Sequence, residues 1–215
     1  GEFELRHRMK WNIGISLYPG RSWVQVDGKL INATGNTHSM LYWSNVAVEV
    51  NKDYQVIFPP NTQYATYHAK NSFCHWPITT ETFDGHEYYK DSIDASWYKN
   101  HPIGGSFFAH DIKVGITAGY DHSKEAGTMH VANPHIVKGS KLWTWGTNST
   151  FDKKALTDND GPYAEIMIGA YSDNQPDYCW IKPYEVKHFR HTWYPLREIG
   201  GMKHGNLDAT VNLEV

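Results

Sequence analysis

The chain has 215 residues, a length at which β-sandwiches commonly form a single domain. Twenty basic and 23 acidic side chains give a net charge of −3. The basic excess that binds phosphate backbones is therefore absent, and nucleic acid is excluded as an expected partner. No apolar stretch is long enough to predict a membrane span, so no membrane partner is expected.

Aromatic side chains make up 14% of the chain, including nine Trp and 14 Tyr. Most of them are expected to pack in a core and across neighbouring strands. We interpret the others as stacking surfaces for sugar rings. The two cysteines, Cys74 and Cys179, are compatible with a disulfide or with burial as small apolar residues, and their neighbours Phe73 and Trp180 favour burial.

Residues 1–8 (GEFELRHR) have the character of a translated cloning site, with Met9 as the first native residue. We therefore predict a vector-derived segment at 1–8 and one β-sandwich domain at 9–215. No secretory signal is visible. If the chain is cut from a longer one, a signal peptide would be lost with the cut. On that interpretation a periplasmic or extracellular location is favoured over a cytoplasmic one.

Short strands separated by Gly, Pro, Asn and Asp are predicted along the chain, which is typical of a sandwich or barrel. The first four cover 11–18, 22–32, 39–50 and 55–58, with Gly28 predicted as a bulge in the second. Segment 65–105 is broken by Pro and Gly and is predicted as a long, functional excursion over the sheet. Later strands are predicted at 106–110, 113–120, 127–133, 141–146, 163–171, 185–194 and 207–214. Single helical turns are predicted at 93–98 and 150–156.

The first polar cluster lies between two predicted strands, at 119–127. Asp121, His122 and Glu125 form a candidate acid–base set. The alternative is a hairpin in which Asp121 caps its own turn. His130 and His135 follow, but the spacing of these His residues lacks the tight pairing of a helical zinc motif. We predict no metal site and no cofactor.

The second cluster is at 141–146. Residues i and i+2 of a strand share a face, so Trp143 and Trp145 are predicted to present adjacent indoles. The pair either packs in the core or lines a groove that suits the C–H faces of a pyranose.

The third cluster, at 157–177, is the densest. Tyr163, Glu165 and Met167 share one face of a predicted strand, and the apolar residues 164, 166 and 168 share the other, which we assign to the core. A strand carboxylate followed by a polar loop and a ring suits sugar binding and chemistry. The alternative is an exposed Glu beside an ordinary turn. The further sugar contacts predicted in this region are Asp160, Asp173, Asn174, Gln175 and Trp180.

Five segments together resemble an uncharacterised bacterial domain family that often accompanies tetratricopeptide repeats. They are LYWSNVAV (41–48), GYDHSKEAGTMHVANPH (119–135), KLWTWG (141–146), LTDNDGPYAEIMIGAYSDNQPD (156–177) and NLDATVNLE (206–214). The resemblance implies an all-β fold, a galactose-mutarotase-like antiparallel β-sandwich (supersandwich) that is incomplete at its N-terminus. It implies no particular reaction.

A weaker similarity is to the aldose epimerases, whose catalytic Glu lies in a strand followed by Gln and a Pro-Asp pair. Glu165 with residues 175–177 is similar in kind, at a longer spacing. Residues 41–45 correspond to the region of the epimerase His, which places Trp43 and Asn45 at the sugar site. This region contains no His, so epimerase activity would require His122 or His130 as the acid.

Two main hypotheses follow, both with an oligosaccharide or monosaccharide as partner. The domain either binds carbohydrate for a larger glycan-utilisation protein or acts as an enzyme at an anomeric centre. As an epimerase it would use Glu165 with a His, and as a glycoside hydrolase Glu165 with Asp121 or Asp160. A third hypothesis is a structural sandwich that packs against a repeat array. Open sheet edges would permit a homodimer.

Overall fold

The computed structural model describes residues 1–68, 70–83, 85–87, 92–148, 157–174 and 177–213. These residues form 21 strands and a short 3-10 helix, Tyr98–Asn100. The strands are β1 (Glu2–Phe3), β2 (Met9–Leu17), β3 (Val24–Asn32), β4 (His38–Met40), β5 (Tyr42–Glu49), β6 (Tyr54–Ile57), β7 (Tyr64–Thr66), β8 (Phe73–His75), β9 (Ile78–Thr79), β10 (Thr82–Phe83), β11 (His86–Glu87), β12 (Ile93–Asp94), β13 (Gly105–Ala109), β14 (Ile116–Asp121), β15 (Ala126–Ala132), β16 (Val137–Thr144), β17 (Tyr163–Ala170), β18 (Cys179–Ile181), β19 (Val186–Arg197), β20 (His204–Gly205) and β21 (Thr210–Val211).

Two antiparallel sheets make up the body of the fold. The first sheet has the order β1-β2-β3-β19-β15-β14-β6, and the second has the order β5-β17-β16-β13-β7-β8. Four two-stranded pairs lie outside these sheets: β4 with β18, β9 with β12, β10 with β11, and β20 with β21. The prediction of an all-β antiparallel sandwich is confirmed.

The main core lies between the two sheets and takes apolar side chains from both. Phe107, Leu142 and Ile166 come from the second sheet, and Phe189 and Trp193 from the first. The alternation predicted for β17 is confirmed, because its residues 164, 166 and 168 are buried in this core. A smaller cluster, formed by Ile116, Ala118, Tyr120, Met129, Leu196 and Met202, covers the opposite face of the first sheet.

Strand boundaries differ from the sequence prediction where the chain changes partners. Segment 39–50 was predicted as one strand, but it forms β4, which pairs with β18, and β5, which pairs with β17. The helical turn predicted at 93–98 is wrong: β12 pairs with β9, and the helical turn begins later, at Tyr98. The turn predicted at 150–156 lies outside the described residues.

Gly28 does not form the predicted bulge. It stays in register with Ile13 on one side and Phe189 on the other. A Cβ at this position would lie 2.0 Å from the Phe189 ring, so the absence of a side chain makes room for the aromatic ring.

Both cysteines are free thiols. Cys74 is buried, as predicted, while Cys179 is partly exposed. Burial raises the pKa of the Cys74 thiol to about 12.

Candidate functional site

Cross-strand pairing places a set of polar and aromatic residues on the side of the second sheet that faces away from the core. Because Leu142 and Ile166 point into the core, their neighbours along each strand point outward. The register aligns Trp143 with Glu165 and Phe108 with Lys141. We call this surface the outer face; it consists of Trp43, Asn45, Ser106, Phe108, Lys141, Trp143, Tyr163, Glu165 and Met167.

Glu165 is the carboxylate at the middle of the outer face. It is partly exposed, and the side-chain amide of Asn45 donates a hydrogen bond of 3.0 Å to its Oε2. Trp143 is directly opposite Glu165 on β16. The structure thus brings together three residues that the sequence predicted as a base and as sugar contacts.

Aromatic rings extend the face around Glu165. The Trp143 ring is 4.5 Å from Trp145, nearly perpendicular to it, and 6.1 Å from Tyr163. Both Trp side chains are partly exposed. With His68 and Ser106 they line a cleft of about 340 Å³. Of the two alternatives for the Trp pair, the groove position is the one that the structure supports.

Lys141 was not predicted as a site residue, yet it belongs to the outer face, two residues before Trp143 on β16 and opposite Phe108 on β13. Its side chain is buried, and its Nζ lies 4.6 Å from the centroid of the Phe108 ring. Burial lowers the pKa of Lys141 to about 8, an effect that the charge of Glu165 only partly opposes. The sequence contained the signal, since Lys141 is two residues from Trp143 and therefore shares its face.

His68 is a second titratable group that the sequence analysis missed. Its ring meets the edge of Phe108 at 5.8 Å, on the ring that also contacts Lys141. Burial, followed by the nearby Lys141 charge, lowers the pKa of His68. The residue lies in the irregular excursion, where no strand phase was available to place it.

Trp43 lies at the end of the outer face and serves as packing. Its ring occupies the space above Gly139 and Gly169, where added Cβ atoms would lie 2.5 and 2.9 Å from it. It also meets Phe108 edge-on at 5.5 Å. Trp43 therefore supports the floor of the face.

Asp121 ends β14 in the first sheet and caps its own hairpin. Its Oδ1 accepts hydrogen bonds from the backbone and hydroxyl of Ser123 and from the Lys124 backbone, and its Oδ2 accepts one from Asn51. Burial raises the pKa of Asp121, but these hydrogen bonds outweigh it and the net pKa is lowered. The capping alternative from the sequence describes this residue.

His122 lies in a different cleft, of about 530 Å³, beside β6 at the edge of the first sheet. It stacks on Trp97 with ring centroids 4.9 Å apart, and its Nε2 is 3.1 Å from Gln55 Oε1. Burial lowers the pKa of His122 despite the charge of Asp121. No contact in the described residues joins it to Glu165.

His130 is in the core, where no ligand reaches it. Its ring packs against Trp193 at 4.6 Å and His191 at 5.3 Å. Burial lowers the pKa of His130 well below its usual range, and the neighbouring His191 lowers it further. A role as epimerase acid does not fit this position.

Hydrogen bonds and ion pairs join the loop after β17 to β7 and the segment that follows it. Asn174 is buried and its amide donates to Thr66 Oγ1 at 2.6 Å. Lys70 pairs with Asp177 and, at 3.7 Å, with Asp173. Gln175 lies outside the described residues.

Two predicted sugar contacts lie apart from the outer face. Trp180 is 63% exposed on β18, which pairs with β4 away from both sheets. Asp160 is exposed in the loop before β17 and borders a separate hollow with Glu49 and Tyr98. The described part of the chain contains neither a membrane-length apolar helix nor a group of three or more His, Cys, Asp or Glu side chains placed to hold a metal.

Comparison with known families matches residues 1–196 to a domain of unknown function, DUF5107. The chain belongs to the DUF5107 family. The match begins within residues 1–8, the segment interpreted from sequence as vector-derived.

Solved structures with the same fold include three bacterial proteins. A TPR-domain containing protein from Parabacteroides distasonis is 21% identical, with a TM-score of 0.71, over 99% of this chain and 33% of its own. A galactose mutarotase-like protein from Lactobacillus casei is 8% identical, with a TM-score of 0.58, over 88% of this chain and 64% of its own. A galactose mutarotase related enzyme from Lactobacillus acidophilus is 7% identical, with a TM-score of 0.55, over 88% and 62%.

The DUF5107 chain therefore spans a third of the first protein and less than two thirds of the other two. At these identities the structural likeness establishes the galactose-mutarotase-like fold, as the sequence resemblance implied. The match to DUF5107 confirms the family that the five sequence segments indicated.

Proposed function

We propose that this DUF5107 domain binds carbohydrate on the outer face of its second sheet. The observation that carries the proposal is the juxtaposition of Glu165, held by Asn45, with the partly exposed ring of Trp143 on the neighbouring strand. A pyranose has an apolar C–H face that stacks on an indole and hydroxyls that donate to a carboxylate. Both kinds of group are present here within one cross-strand pair.

The fold is consistent with the same proposal, although fold similarity alone does not identify a binding site. Two structures with this fold are named for galactose mutarotase, and the third contains TPR repeats. A sugar-related role and a place within a larger glycan-utilisation protein are consistent with these likenesses. The residue-level geometry described above is what supports the outer face as the site.

A glycan array probed with the domain tests the proposal. Trp143→Ala and Glu165→Gln should each weaken binding at least ~10-fold, equivalent to about 1.4 kcal/mol, because each removes a central contact. Trp11→Ala is the matched control, since Trp11 is an exposed Trp on β2 of the first sheet and its loss should leave affinity unchanged. Thermal unfolding of each variant separates lost binding from lost folding.

An array without any bound glycan, or binding that survives both outer-face substitutions in folded protein, would reject this site. Trp180→Ala distinguishes binding at the outer face, where Trp143 lies, from binding at the β4–β18 pair, where Trp180 lies. Weakened binding in that variant alone would move the site to the β4–β18 pair.

An enzyme acting at an anomeric centre is the second candidate. The specific observation in its favour is that Lys141 shares the outer face with Glu165, feels its charge and has a pKa of about 8, which is close to neutral pH. The partners predicted from sequence do not fill this role, because Asp121 caps a hairpin and His130 is in the core. A hydrolysis and anomer-interconversion screen on the same sample decides: turnover by the unsubstituted domain that Glu165→Gln abolishes, while the variant stays folded, would establish the enzyme.

A further inference from the structure

Lys141 is a largely buried side chain whose ammonium tip stays open to a ligand, and the described residues leave its charge without a close carboxylate. Only 7% of the residue is exposed, and its ammonium group rests on the Phe108 ring. Within the described ranges, no carboxylate lies within ion-pairing distance of Nζ, and no hydrogen bond to it is formed. Buried charges in proteins are ordinarily paired, because removing an ammonium group from water is costly.

The titratable groups around Lys141 do not supply the missing charge. Glu165 on β17 acts on it only at longer range, and burial outweighs that attraction. His68, on the segment after β7, carries no negative charge in any protonation state. On β13 the contact is the uncharged Phe108 ring. An anion is therefore the group that this position lacks.

We propose that the sugar bound on the outer face carries a carboxylate, as a uronic acid does, and that this carboxylate pairs with Lys141. The inference rests on the proposed function and names the class of its ligand. The ring stacks on Trp143, the carboxylate meets the Lys141 ammonium, and ring hydroxyls donate to Glu165. A single cation balances a monoanion but leaves a dianionic phosphate with excess negative charge, and Glu165 repels the dianion more strongly than a carboxylate.

The test uses matched glycosides that differ only at C6. Methyl β-D-glucopyranoside is compared with methyl β-D-glucopyranosiduronate, and the corresponding galactosides are compared in the same way, by calorimetric titration at pH 7. The uronate of at least one pair should bind ~10-fold tighter or more. Lys141→Met should abolish that preference, and Lys141→Arg should retain most of it because the charge remains.

Lys29→Met is the matched control. Lys29 is exposed on β3 of the first sheet, so its loss removes the same charge from the protein without touching the outer face. The uronate preference of this variant should equal that of the unsubstituted domain. Thermal unfolding curves of the Lys141 variants check that they are folded under the conditions of the titration.

Proton linkage gives a second readout. A bound carboxylate raises the pKa of Lys141 from about 8, so at pH 8 binding should take up about half a proton. Titrations in two buffers of different ionisation enthalpy measure this uptake. It should vanish in Lys141→Met.

The outcomes separate the two proposals. Equal affinity for both members of every pair, unchanged by Lys141→Met, would overturn the acidic-sugar inference and leave carbohydrate binding standing. Failure of every glycoside to bind, with an empty glycan array, would overturn both. A uronate preference that Lys141→Met leaves intact would overturn the assignment to Lys141.

Discussion

Asp121 accepts hydrogen bonds through both carboxylate oxygens, and each donor comes from its own turn or from Asn51. A carboxylate whose oxygens are all occupied by protein donors is poorly placed to accept a substrate proton. Glu165 differs, because among the described residues the one donor to it is Asn45, which bonds a single carboxylate oxygen. Hydrogen-bond occupancy thus separates a structural carboxylate from a candidate functional one in the same chain.

Removing the Asp121 carboxylate should therefore destabilise the domain without affecting its ligand. Asp121→Ala leaves the Ser123 backbone and Asn51 amide without their acceptor, and we expect a loss of about 2 kcal/mol in the free energy of unfolding. Urea denaturation measures it. Glu125→Gln, an exposed change in the same turn, is the control and should be neutral. Glycan affinity that fell in folded Asp121→Ala protein would contradict the structural role.

Individual site residues could be predicted from the sequence where the alternation of a strand shows which side chains face the core. Alternation along β17 was enough to predict that Glu165 faces away from the core, because apolar residues alternate with it. Lys141 and His68 were missed for different reasons. Lys141 is nearly buried on an outward-facing position, which polarity alone does not predict, and His68 follows a three-residue strand in an irregular segment.

At the scale of elements, Gly28 illustrates how the two neighbours of a strand constrain it. Strand β3 lies between β2 and β19, and the Phe189 ring of β19 occupies the place of a Gly28 side chain. The sequence could suggest only that a Gly inside a strand pattern is special. Whether the reason is a bulge or a close approach depends on a residue 161 positions away in the chain, and no local pattern contains that information.

Gly28→Ala should consequently destabilise the first sheet by about 1–3 kcal/mol, the range typical of overpacked cores. The matched control is Gly14→Ala on the adjacent β2, where an added Cβ would meet its nearest atom at 3.8 Å, an ordinary contact. That change should be neutral or slightly stabilising. Chemical denaturation of both variants gives the comparison.

Combining Gly28→Ala with Phe189→Leu checks the cause. If the Phe189 ring is the obstacle, the double variant should lose less stability than the sum of the two single changes. Strict additivity would show that Gly28 is required for a backbone reason.

At the scale of the whole molecule, the sandwich buries three imidazoles in surroundings that disfavour their protonation. His130 and His191 lie side by side in the first sheet, and His101 donates from its ring to the Ala95 carbonyl. Burial lowers the pKa of His101 and of His191 to about 4, and that of His130 well below its usual range. All three groups are therefore neutral in the folded protein at mildly acidic pH.

These pKa values predict how stability changes with pH. The unfolded chain takes up a proton on each imidazole near its ordinary pKa of about 6.5, whereas in the folded protein His101 and His191 stay neutral until about pH 4, and the pKa of His130 is also well below its usual range. Because the unfolded state binds more protons in that window, the free energy of unfolding falls as the pH falls from about 6.5 to 4. At pH 5 the loss is about 2 kcal/mol for each of His101 and His191, and the protonation of His130 on unfolding adds to it.

Urea denaturation at pH 7, 6 and 5 measures this dependence, and its slope should approach three protons per unfolding event. Trp11→Ala, an exposed change on β2 that removes no ionisable group, supplies the control and should leave the slope unchanged. His191→Gln should reduce the slope by about one proton, because the variant has one fewer imidazole to protonate on unfolding. Stability that stays constant from pH 7 to 5 would mean that these imidazoles accept protons inside the sandwich, and the packing around His130 and His191 would then have to be reconsidered.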